Sequence, residues 1–330
     1  MSLLTSSEPA AADSDGEILS PADADRLKNV AETVAAVAPR LVDSPAWVAS
    51  ARHGWEDLPV ALRRRVRAFR RNSGGHGTLL LRGILLDTPN MPPTPFAAGS
   101  VQRRATLSAA VLMSLACGLG DPAAFAAEKS GALVQDVVPV PGNEDVQGNV
   151  GSVPLAFHNE NAFHRHRPDF VLLLCLRADH DTAAALRTAC VRAVLPRLTT
   201  ATRAALESPW FVTEPPPSFV VGAPAEPHAV LAGVPEDPDV RVDFAATKPL
   251  GSQAGEALAE LATLIHQSAR EVFLRPGDLA IVDNRVTMHG RSGFRPRYDG
   301  ADRWLQRTFV CADLRRSRAF RPDDGYVLTG

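Results

Sequence analysis

Short apolar runs, separated by glycine, proline and small polar residues, dominate the chain from residue 132 to residue 311. Runs of this length and composition are typical of β-strands divided by turns. Ten of them predict strands, at 133–138, 153–157, 170–175, 185–190, 210–213, 228–234, 240–245, 279–282, 286–289 and 303–311. So many short strands at short intervals favour a sandwich or jelly roll, and the fold class we predict is mainly β.

The apolar positions before residue 120 follow helical spacing instead. Ser20 can cap a helix that begins at Pro21, because proline is favoured in the first turn, and Leu27, Val30 and Val34 then recur at helical intervals. The same spacing predicts helices at about 57–71 and 101–117, with a strand at 77–83. Two more helices, at about 192–207 and 254–271, are predicted between the later strands. We expect these helices to flank the sheets, which makes the whole arrangement α+β.

The chain divides into a short tail and one large domain. Residues 1–17 are rich in Ala, Ser, Asp and Glu, a composition that predicts a disordered tail. We predict a single domain at 18–330, with a helical part at about 18–120 and a jelly-roll core at about 130–320. The proline-rich stretch at 215–224 lies between two predicted strands, and we interpret it as a lid.

Charge and composition exclude several classes of partner. The net charge of −2 argues against a general nucleic-acid or anionic-membrane binder, and the basic run at 63–71 is typical of a solvated helix face. No apolar run approaches the roughly 20 residues of a membrane helix, and the chain opens without a secretory signal. The four cysteines lie singly in apolar segments. We therefore expect a cytoplasmic protein with buried thiols and a small-molecule partner.

Two imidazoles and one carboxylate stand out in this framework. His158 and Glu160 are two positions apart on a predicted strand, where such positions point to the same face, and His289 ends another predicted strand. Two histidines and one carboxylate are the donor set of non-haem iron(II) sites with open coordination positions. A structural zinc site would be closed by four ligands, often thiolates, and no cysteine lies near either histidine.

Two arginines follow the second histidine on the last predicted strand. Arg303 and Arg307 have the same parity there, so both side chains point to one face. Arginine pairs bidentately with carboxylates, so two guanidinium groups facing a metal site would suit two different carboxylates. The sequence leaves equally open the alternative that one or both point to solvent.

Four further polar residues are candidates for substrate recognition. Asp243 in a cavity would favour a carboxamide or a cation, because an ionised carboxylate only accepts hydrogen bonds; a surface position beside Arg241 is the alternative. Asn149 carries a donor and an acceptor and could complete recognition of an amide, or be a turn residue. Glu128 and Gln135 are candidates for holding an ammonium group.

The remaining histidines lack such a context. His164 and His166 have the spacing of a metal pair, but their segment is rich in arginine and offers no third ligand. We predict no functional role for the histidines that stand alone, which are His53, His76, His180, His228 and His266.

Several motifs together resemble the clavaminate synthase-like branch of the iron(II)/2-oxoglutarate dioxygenases. They are FHNENAFH at 157–164, VDN at 282–284 and DRWLQR at 302–307, and the similarity runs from about residue 52 to the C-terminus. GALVQDVVPVPG at 131–142 and TEPPPSF at 213–219 are similar to members that hydroxylate asparagine. The resemblance implies a double-stranded β-helix with a mobile lid near 214–223, and iron(II), 2-oxoglutarate and dioxygen as cofactors.

The resemblance also implies roles for the candidate residues. It assigns the iron to His158, Glu160 and His289, the distal carboxylate of 2-oxoglutarate to Arg303, the substrate α-carboxylate to Arg307, and a side-chain amide to Asp243 and Asn149. The implied reaction is hydroxylation of C3 of free L-asparagine to 3-hydroxyasparagine, with a link to a nonribosomal peptide synthetase in antibiotic biosynthesis. Clavaminate synthase has a threonine that assists its co-substrate arginine. The corresponding stretch of this chain, 182–186, has alanine there, and Thr182 is the residue that could compensate.

Two alternative functions stay open on the sequence. One is β-hydroxylation of another amino acid: aspartate, an arginine-like substrate or a carrier-bound residue. The single acid at Asp243, followed by Phe244 and Ala245, favours an amide over a guanidinium, which relatives hold with paired acids. The other alternative is a non-catalytic jelly-roll binding protein.

Overall fold

Strands and helices segregate along the chain much as the apolar pattern predicts. The computed structural model describes residues 16–219 and 225–329. The helices of this part are α1 (Pro21–Ala36), α2 (Pro45–Asp57), α3 (Val60–Arg71), α4 (Leu107–Leu119), α5 (Val191–Val194), α6 (Thr200–Leu206) and α7 (Ser252–Gln267). The strands are β1 (Glu17–Ile18), β2 (Thr78–Arg82), β3 (Asp121–Phe125), β4 (Gln135–Val137), β5 (Leu155–His158), β6 (Phe170–Arg177), β7 (Leu186–Cys190), β8 (Phe211–Thr213), β9 (Leu231–Val234), β10 (Asp237–Val240), β11 (Thr247–Pro249), β12 (Arg270–Val272), β13 (Leu279–Asp283), β14 (Thr287–Arg291), β15 (Trp304–Cys311) and β16 (Val327–Leu328).

Two sheets face each other and form a double-stranded β-helix. The larger sheet has the order β1-β2-β13-β6-β15-β3-β16, with β4 also pairing with β15. The smaller sheet has the order β12-β7-β14-β5. The segment between β7 and β12 forms two further strand pairs, β9 with β10 and β8 with β11. The inner faces of both sheets contribute to one apolar cluster, which includes Leu173 and Leu186. The prediction of a jelly-roll core with flanking helices is confirmed.

Alternation along the central strands explains why they read as continuous apolar runs. On β6, Val171 and Leu173 point between the sheets, whereas Leu172 and Leu174 pack with the N-terminal helices. Both faces of this sheet are therefore buried, and no polar side remains for solvent. α4 lies against the outer face, and every residue from Ala109 to Leu119 is buried. A helix that is apolar all round is what a position between a sheet and other helices requires.

The smaller sheet is covered on its outside by α5, α6 and α7. Met288 of β14 and Ala189 of β7 share an apolar cluster with Leu261 and Ile265 of α7. The helix therefore supports the two strands from outside, as the spacing of its leucines predicts. The described part of the chain contains no helix that is both long and apolar enough to cross a membrane.

Several predicted helix boundaries are wrong for identifiable reasons. The predicted helix at 101–117 begins only at Leu107, because the Thr106 side chain caps it by accepting from the Ala109 N–H, and Val101 pairs with Gln135 instead. The predicted helix at 192–207 is broken into α5 and α6 by a turn at Leu195–Arg197 that contains Pro196. Helix α2 and strand β3 were not predicted at all.

Two other predictions change at their ends. The predicted tail at 1–17 ends too late, since Glu17 already pairs with Leu81, and residues 1–15 lie outside the described residues. The predicted strand at 240–245 is mostly wrong, because β10 ends at Val240 and residues 244–246 form a turn. Of the predicted lid at 214–223, residues 220–223 lie outside the described residues, so the lid stays a prediction.

Candidate active site: a triad between the sheets

His158, Glu160 and His289 converge on one point in the interior of the β-helix. One ligand atom from each lies within 4.8 Å of the other two. His158 ends β5 directly opposite His289 on β14, and their ring centroids are 4.4 Å apart. Glu160 lies in the turn after β5 rather than on the strand, which corrects the predicted geometry; its Oε2 is 3.4 Å from His289 Nε2.

Two buried asparagines fix the turn that carries Glu160. Asn284 accepts from the Glu160 N–H at 2.8 Å and donates to the Glu160 carbonyl at 3.1 Å. Asn159 points away from the triad, as predicted, and donates to the carbonyls of Asn284 and Thr287. Its own oxygen accepts from the Val242 N–H at 3.0 Å. The backbone of Glu160 is therefore fixed by contacts that leave both carboxylate oxygens available.

The protonation states of the triad suit a divalent metal. His158 Nδ1 lies 2.9 Å from the Ala156 carbonyl, an arrangement that places the proton on Nδ1 and leaves Nε2 as a ligand. Burial, together with the neighbouring His158 ring, lowers the pKa of His289 and favours its neutral form. Burial alone would raise the pKa of Glu160, but the Arg307 guanidinium holds it well below its usual range. Neutral imidazoles and an ionised carboxylate fit iron(II).

Arg307 lies beside the triad with a crowd of acceptors. Its Nη1 donates to Glu160 Oε1 at 2.9 Å, and its Nη2 donates to Glu128 and Gln135. The Asn149 amide oxygen, turned toward the guanidinium, accepts from both Nη atoms at 3.0 Å. Burial would lower the pKa of Arg307, and the carboxylates of Glu160 and Glu128 raise it above its usual value. Three of the four candidates, Glu128, Gln135 and Asn149, therefore form one cluster around the buried Arg307 cation.

Arg303, four residues earlier on the same chain segment, lies in the opposite electrostatic situation. It is buried, and it forms no hydrogen bond or ion pair with the residues that the structure describes. Its guanidinium carbon is 6.0 Å from the centroid of the Phe294 ring. Burial lowers the pKa of Arg303, with only partial compensation from Cys175 and Asp179. A buried cation without a bonded partner is a ready site for an incoming carboxylate.

A second arginine, which the sequence analysis did not single out, shares that aromatic ring. Arg291 is two positions after His289 on β14, so both side chains point between the sheets. Its guanidinium carbon is 5.0 Å from the Phe294 centroid, and one Nη donates to the Val153 carbonyl at 2.9 Å. Burial, followed by repulsion from Arg303, lowers the pKa of Arg291 to about 9. The sequence His-Gly-Arg at 289–291 could have identified Arg291, because residues two apart on a strand point to the same face.

Asp243 lies next to the triad through main-chain pairing. It forms an isolated bridge with His158, and the Phe244 N–H donates to the Phe157 carbonyl at 3.2 Å. The half-buried Asp243 carboxylate accepts from the Ala245 N–H at 2.8 Å and has no ion pair among the described residues. The predicted alternative, a surface pair with Arg241, is wrong, because Arg241 donates to the carbonyls of residues 162 and 163.

The other histidines are arranged differently from one another. The rings of His164 and His166 are 6.0 Å apart, and within the described ranges they belong to no cluster that could hold a metal. His180 does not stand alone as predicted: its Nε2 is 3.3 Å from Asp299 and 3.6 Å from Asp302. Thr182, which was considered as a substitute for the family threonine, is exposed, has a left-handed backbone, and forms no hydrogen bond with Arg303.

Comparison with known proteins places this site in a family. The sequence model of the taurine catabolism dioxygenase TauD, TfdA family matches residues 56–309. L-asparagine oxygenase of Streptomyces coelicolor is 58% identical over 311 residues, which cover 94% of this chain and 93% of that protein. Clavaminate synthase 2 of Streptomyces clavuligerus is 34% identical over 265 residues, covering 78% of this chain and 80% of the relative.

The solved structures agree with the sequence comparisons. Asparagine oxygenase in complex with Fe(II), 2S,3S-3-hydroxyasparagine and succinate superposes with a TM-score of 0.93 at 57% identity, covering 96% of this chain and 100% of that one. Both comparisons extend over nearly the whole chain, and the family match includes every residue of the triad and both arginines. The resemblance recognised in the sequence is confirmed, and the chain belongs to the TauD, TfdA family of dioxygenases.

Proposed function

We propose that this enzyme is an iron(II)- and 2-oxoglutarate-dependent oxygenase that hydroxylates C3 of free L-asparagine to (2S,3S)-3-hydroxyasparagine. The observation that carries the choice of substrate is the position of Asp243, an acceptor-only carboxylate directly across from the metal ligand His158. The likeness to an asparagine oxygenase solved with that product supports the same assignment. His158, Glu160 and His289 are the proposed iron ligands.

The two arginines separate the two carboxylic acids of the reaction. Bound iron, 2-oxoglutarate and dioxygen together replace a C–H hydrogen by a hydroxyl group and release succinate and carbon dioxide. Arg303 is free to pair with the distal carboxylate of 2-oxoglutarate, since no described acid forms an ion pair with it. Arg291, which flanks the same phenyl ring, adds positive charge to that end of the cavity.

The cluster around Arg307 suits the zwitterionic end of an amino acid. An incoming α-carboxylate can take the place of one acceptor on the guanidinium, while Glu128 accepts from the ammonium group and Gln135 lies next to it. Glu128 also accepts from the Asn161 amide at 3.4 Å, which keeps its carboxylate in the cavity. Binding exchanges one set of charge-assisted contacts for another, so no buried charge is left unpaired.

Asp243 and Asn149 would read the side-chain amide. One Asp243 oxygen accepts from the Ala245 N–H at 2.8 Å, so the other is left for a substrate N–H. Asn149 can offer its N–H group to the substrate carbonyl while its oxygen remains on Arg307. A guanidinium needs a bidentate acceptor, and a single available oxygen favours a carboxamide instead.

The direct test is a mass-spectrometric screen of free amino acids with the iron-loaded protein and 2-oxoglutarate. We expect the gain of one oxygen on asparagine together with an equal amount of succinate, and elution with authentic (2S,3S)-3-hydroxyasparagine on a chiral column. Iron-loaded protein that binds 2-oxoglutarate but leaves asparagine unchanged would refute the substrate assignment. Succinate formed without any iron dependence would refute the metal assignment.

Asp243→Asn tests the amide assignment at a single position. The new amide keeps its oxygen for the Ala245 N–H and turns an N–H toward the substrate, so aspartate should gain and asparagine should lose. We expect the preference for asparagine over aspartate, measured as a ratio of kcat/KM, to fall by about 100-fold. The substitution removes a hydrogen bond to asparagine and creates one to aspartate. An unchanged ratio would place the amide elsewhere in the cavity.

We also propose that the product feeds a nonribosomal peptide synthetase in the cytoplasm. A hydroxylated free amino acid has no codon, and activation by an adenylation domain is the chemistry that would consume it. Amino-acid-dependent ATP–pyrophosphate exchange by an adenylation domain encoded beside this enzyme, with 3-hydroxyasparagine preferred over asparagine, would support the link. Equal exchange with asparagine would count against it.

A further inference from the structure

A row of buried polar side chains lies directly behind Asp243. The Asp243 N–H donates to Thr247 Oγ1 at 2.9 Å, Thr247 Oγ1 is 2.8 Å from Thr213 Oγ1, and Thr213 Oγ1 is 2.8 Å from His228 Nε2. Thr213, Thr247 and His228 are 2%, 7% and 8% exposed. Hydroxyl groups so deeply buried destabilise a fold unless each finds a partner, and here each does.

The hydrogen atoms in this row can be assigned from one end. His228 Nδ1 lies 2.9 Å from the Ala229 carbonyl, which can only accept, so Nδ1 carries the proton. Burial lowers the pKa of His228 to about 4, which keeps the ring neutral and makes Nε2 an acceptor. Thr213 therefore donates to His228, and because this uses its only hydroxyl hydrogen, Thr213 accepts from the Thr247 hydroxyl. All bonds run in one direction, from Asp243 to His228.

The row fixes Asp243 at a point where regular structure is lacking. Asp243 belongs to no strand, and residues 244–246 form a turn. The Thr247 N–H donates to the Asp243 carbonyl at 2.7 Å, and the Thr247 hydroxyl accepts from the Asp243 N–H, so one residue holds both main-chain groups. The carboxylate direction follows, since Ala245 binds one of its oxygens.

Both ends of the row are anchored in strand pairing. Thr213 pairs with Thr247 across β8 and β11. His228 exchanges two main-chain hydrogen bonds with Phe211, at 2.7 and 3.2 Å. The hydroxyl of Thr247 is thus held by residues that take part in main-chain pairing, and it in turn holds the Asp243 N–H. Valine would fill the same volume as threonine, so packing does not explain the hydroxyls.

We propose that Thr247, Thr213 and His228 are positioning residues that set side-chain specificity by holding Asp243 in its amide-reading orientation. The inference rests on the proposed function, in which Asp243 reads the substrate amide. It also changes the interpretation of His228, for which the sequence predicted no functional role. Among the described residues, none of the three forms a hydrogen bond or an ion pair with the triad, so we expect their main effect on the amino-acid substrate.

The test compares Thr247→Val with Thr247→Ser. Valine keeps the shape and leaves the Asp243 N–H without its acceptor, whereas serine keeps the hydroxyl. In the valine variant we expect the KM for asparagine to rise about tenfold, because one buried hydrogen bond is lost. The preference of the enzyme for asparagine over aspartate should fall as well. Serine should restore both to within about twofold of the wild type, and the KM for 2-oxoglutarate should stay constant.

Thr202→Val provides the matched control. Thr202 is also a buried threonine whose hydroxyl is bonded, to Glu260 at 2.5 Å, but it lies on α6 away from Asp243. A merely structural role for Thr247 predicts that both valine variants lower Tm and leave the asparagine KM unchanged. That result, or serine failing to rescue, would overturn the proposal.

Thr213→Val and Thr213→Ser carry the same test if Thr247→Val does not fold. Thr213→Val removes the acceptor of the Thr247 hydroxyl, so the same substrate-specific rise in KM is expected, about threefold because the contact is one step further from Asp243. Wild-type enzyme that does not hydroxylate asparagine refutes the proposed function itself. Active wild type with an unchanged Thr213→Val variant refutes only the row.

Discussion

Arg303 and Arg307 lie four residues apart on one segment, both fully buried, and their surroundings could hardly differ more. Arg307 bonds to two carboxylates and two side-chain amides. Arg303 has an aromatic ring nearby and no bonded partner among the residues described. The comparison teaches that burial alone does not reveal what an arginine does. The guanidinium of Arg307 lies in a pocket where carboxylates already neutralise its charge, and that of Arg303 lies in a pocket that lacks an anion.

Replacing Arg307 should have the largest effect on folding. Arg307→Met leaves Glu160 and Glu128 buried without their shared cation, and breaking a buried pair in this way costs about 3–5 kcal/mol. We expect that loss in the free energy of unfolding, measured by urea denaturation of the metal-free protein. A destabilisation below about 1 kcal/mol would mean that the two acids take up protons instead.

Replacing Arg303 should have the opposite balance, with a large effect on binding and little on folding. Arg303→Met removes a buried charge that forms no ion pair with the described residues, so the free energy of unfolding should stay constant or rise. Affinity for 2-oxoglutarate should fall by about 100-fold, because the distal carboxylate loses its partner. Isothermal titration of metal-free protein with 2-oxoglutarate separates this effect from turnover.

Arg187→Met is the control for that measurement. Arg187 is also a cation over a phenyl ring, 4.9 Å from the Phe157 centroid, but it pairs with the exposed Glu271. We expect its affinity for 2-oxoglutarate to match the wild type. Equal losses in both variants would show a general perturbation of the β-helix, and the contrast between the two arginine pockets would fail.

A smaller effect should follow from Arg291, which shares the Phe294 ring with Arg303. Arg291→Met should weaken 2-oxoglutarate binding by about fivefold, equivalent to about 1 kcal/mol, because the charge acts without a direct contact. The KM for asparagine should not change. A loss as large as that of Arg303→Met would show that both guanidinium groups bind the carboxylate directly.

Thr182→Ala should have no measurable effect. The threonine is exposed, and its hydroxyl makes no hydrogen bond to the residues described here, so we expect a change in stability within about 0.5 kcal/mol and an unchanged KM for 2-oxoglutarate. A rise in that KM would show that Thr182 moves to the co-substrate on binding and takes over the family threonine's role. The 2-oxoglutarate pocket around Arg303 would then include this loop.

The chemistry of the site was predictable because few residue types can perform it. His158, Glu160 and His289 are the donors that iron(II) prefers, and arginine is the natural partner of a dicarboxylate, so residue type singled them out, although strand parity failed for Glu160, which lies in a turn. The apolar alternation likewise predicted most of the strands. These properties are local, and a sequence displays them directly.

The geometry that joins distant segments was not predictable in the same way. Asn284 holds Glu160 from 124 positions away, and Asn159 reaches Val242 over 83 positions. No local pattern encodes such contacts. The predicted strand at 240–245 failed for this reason: its alternation is genuine, but pairing with β5 around Asp243 and the turn behind it override that local preference. Helix α2, in contrast, has Trp47, Ala51 and Trp55 at helical spacing and could have been found.

The bridge between His158 and Asp243 limits how this catalyst can be redesigned. A metal ligand and a specificity residue are main-chain neighbours there, so exchanging the segment 240–247 for that of another hydroxylase would disturb the metal centre together with selectivity. Directed evolution toward new amino acids should keep that backbone and vary only the side chains projecting from it. Libraries built on single positions will outperform grafted loops.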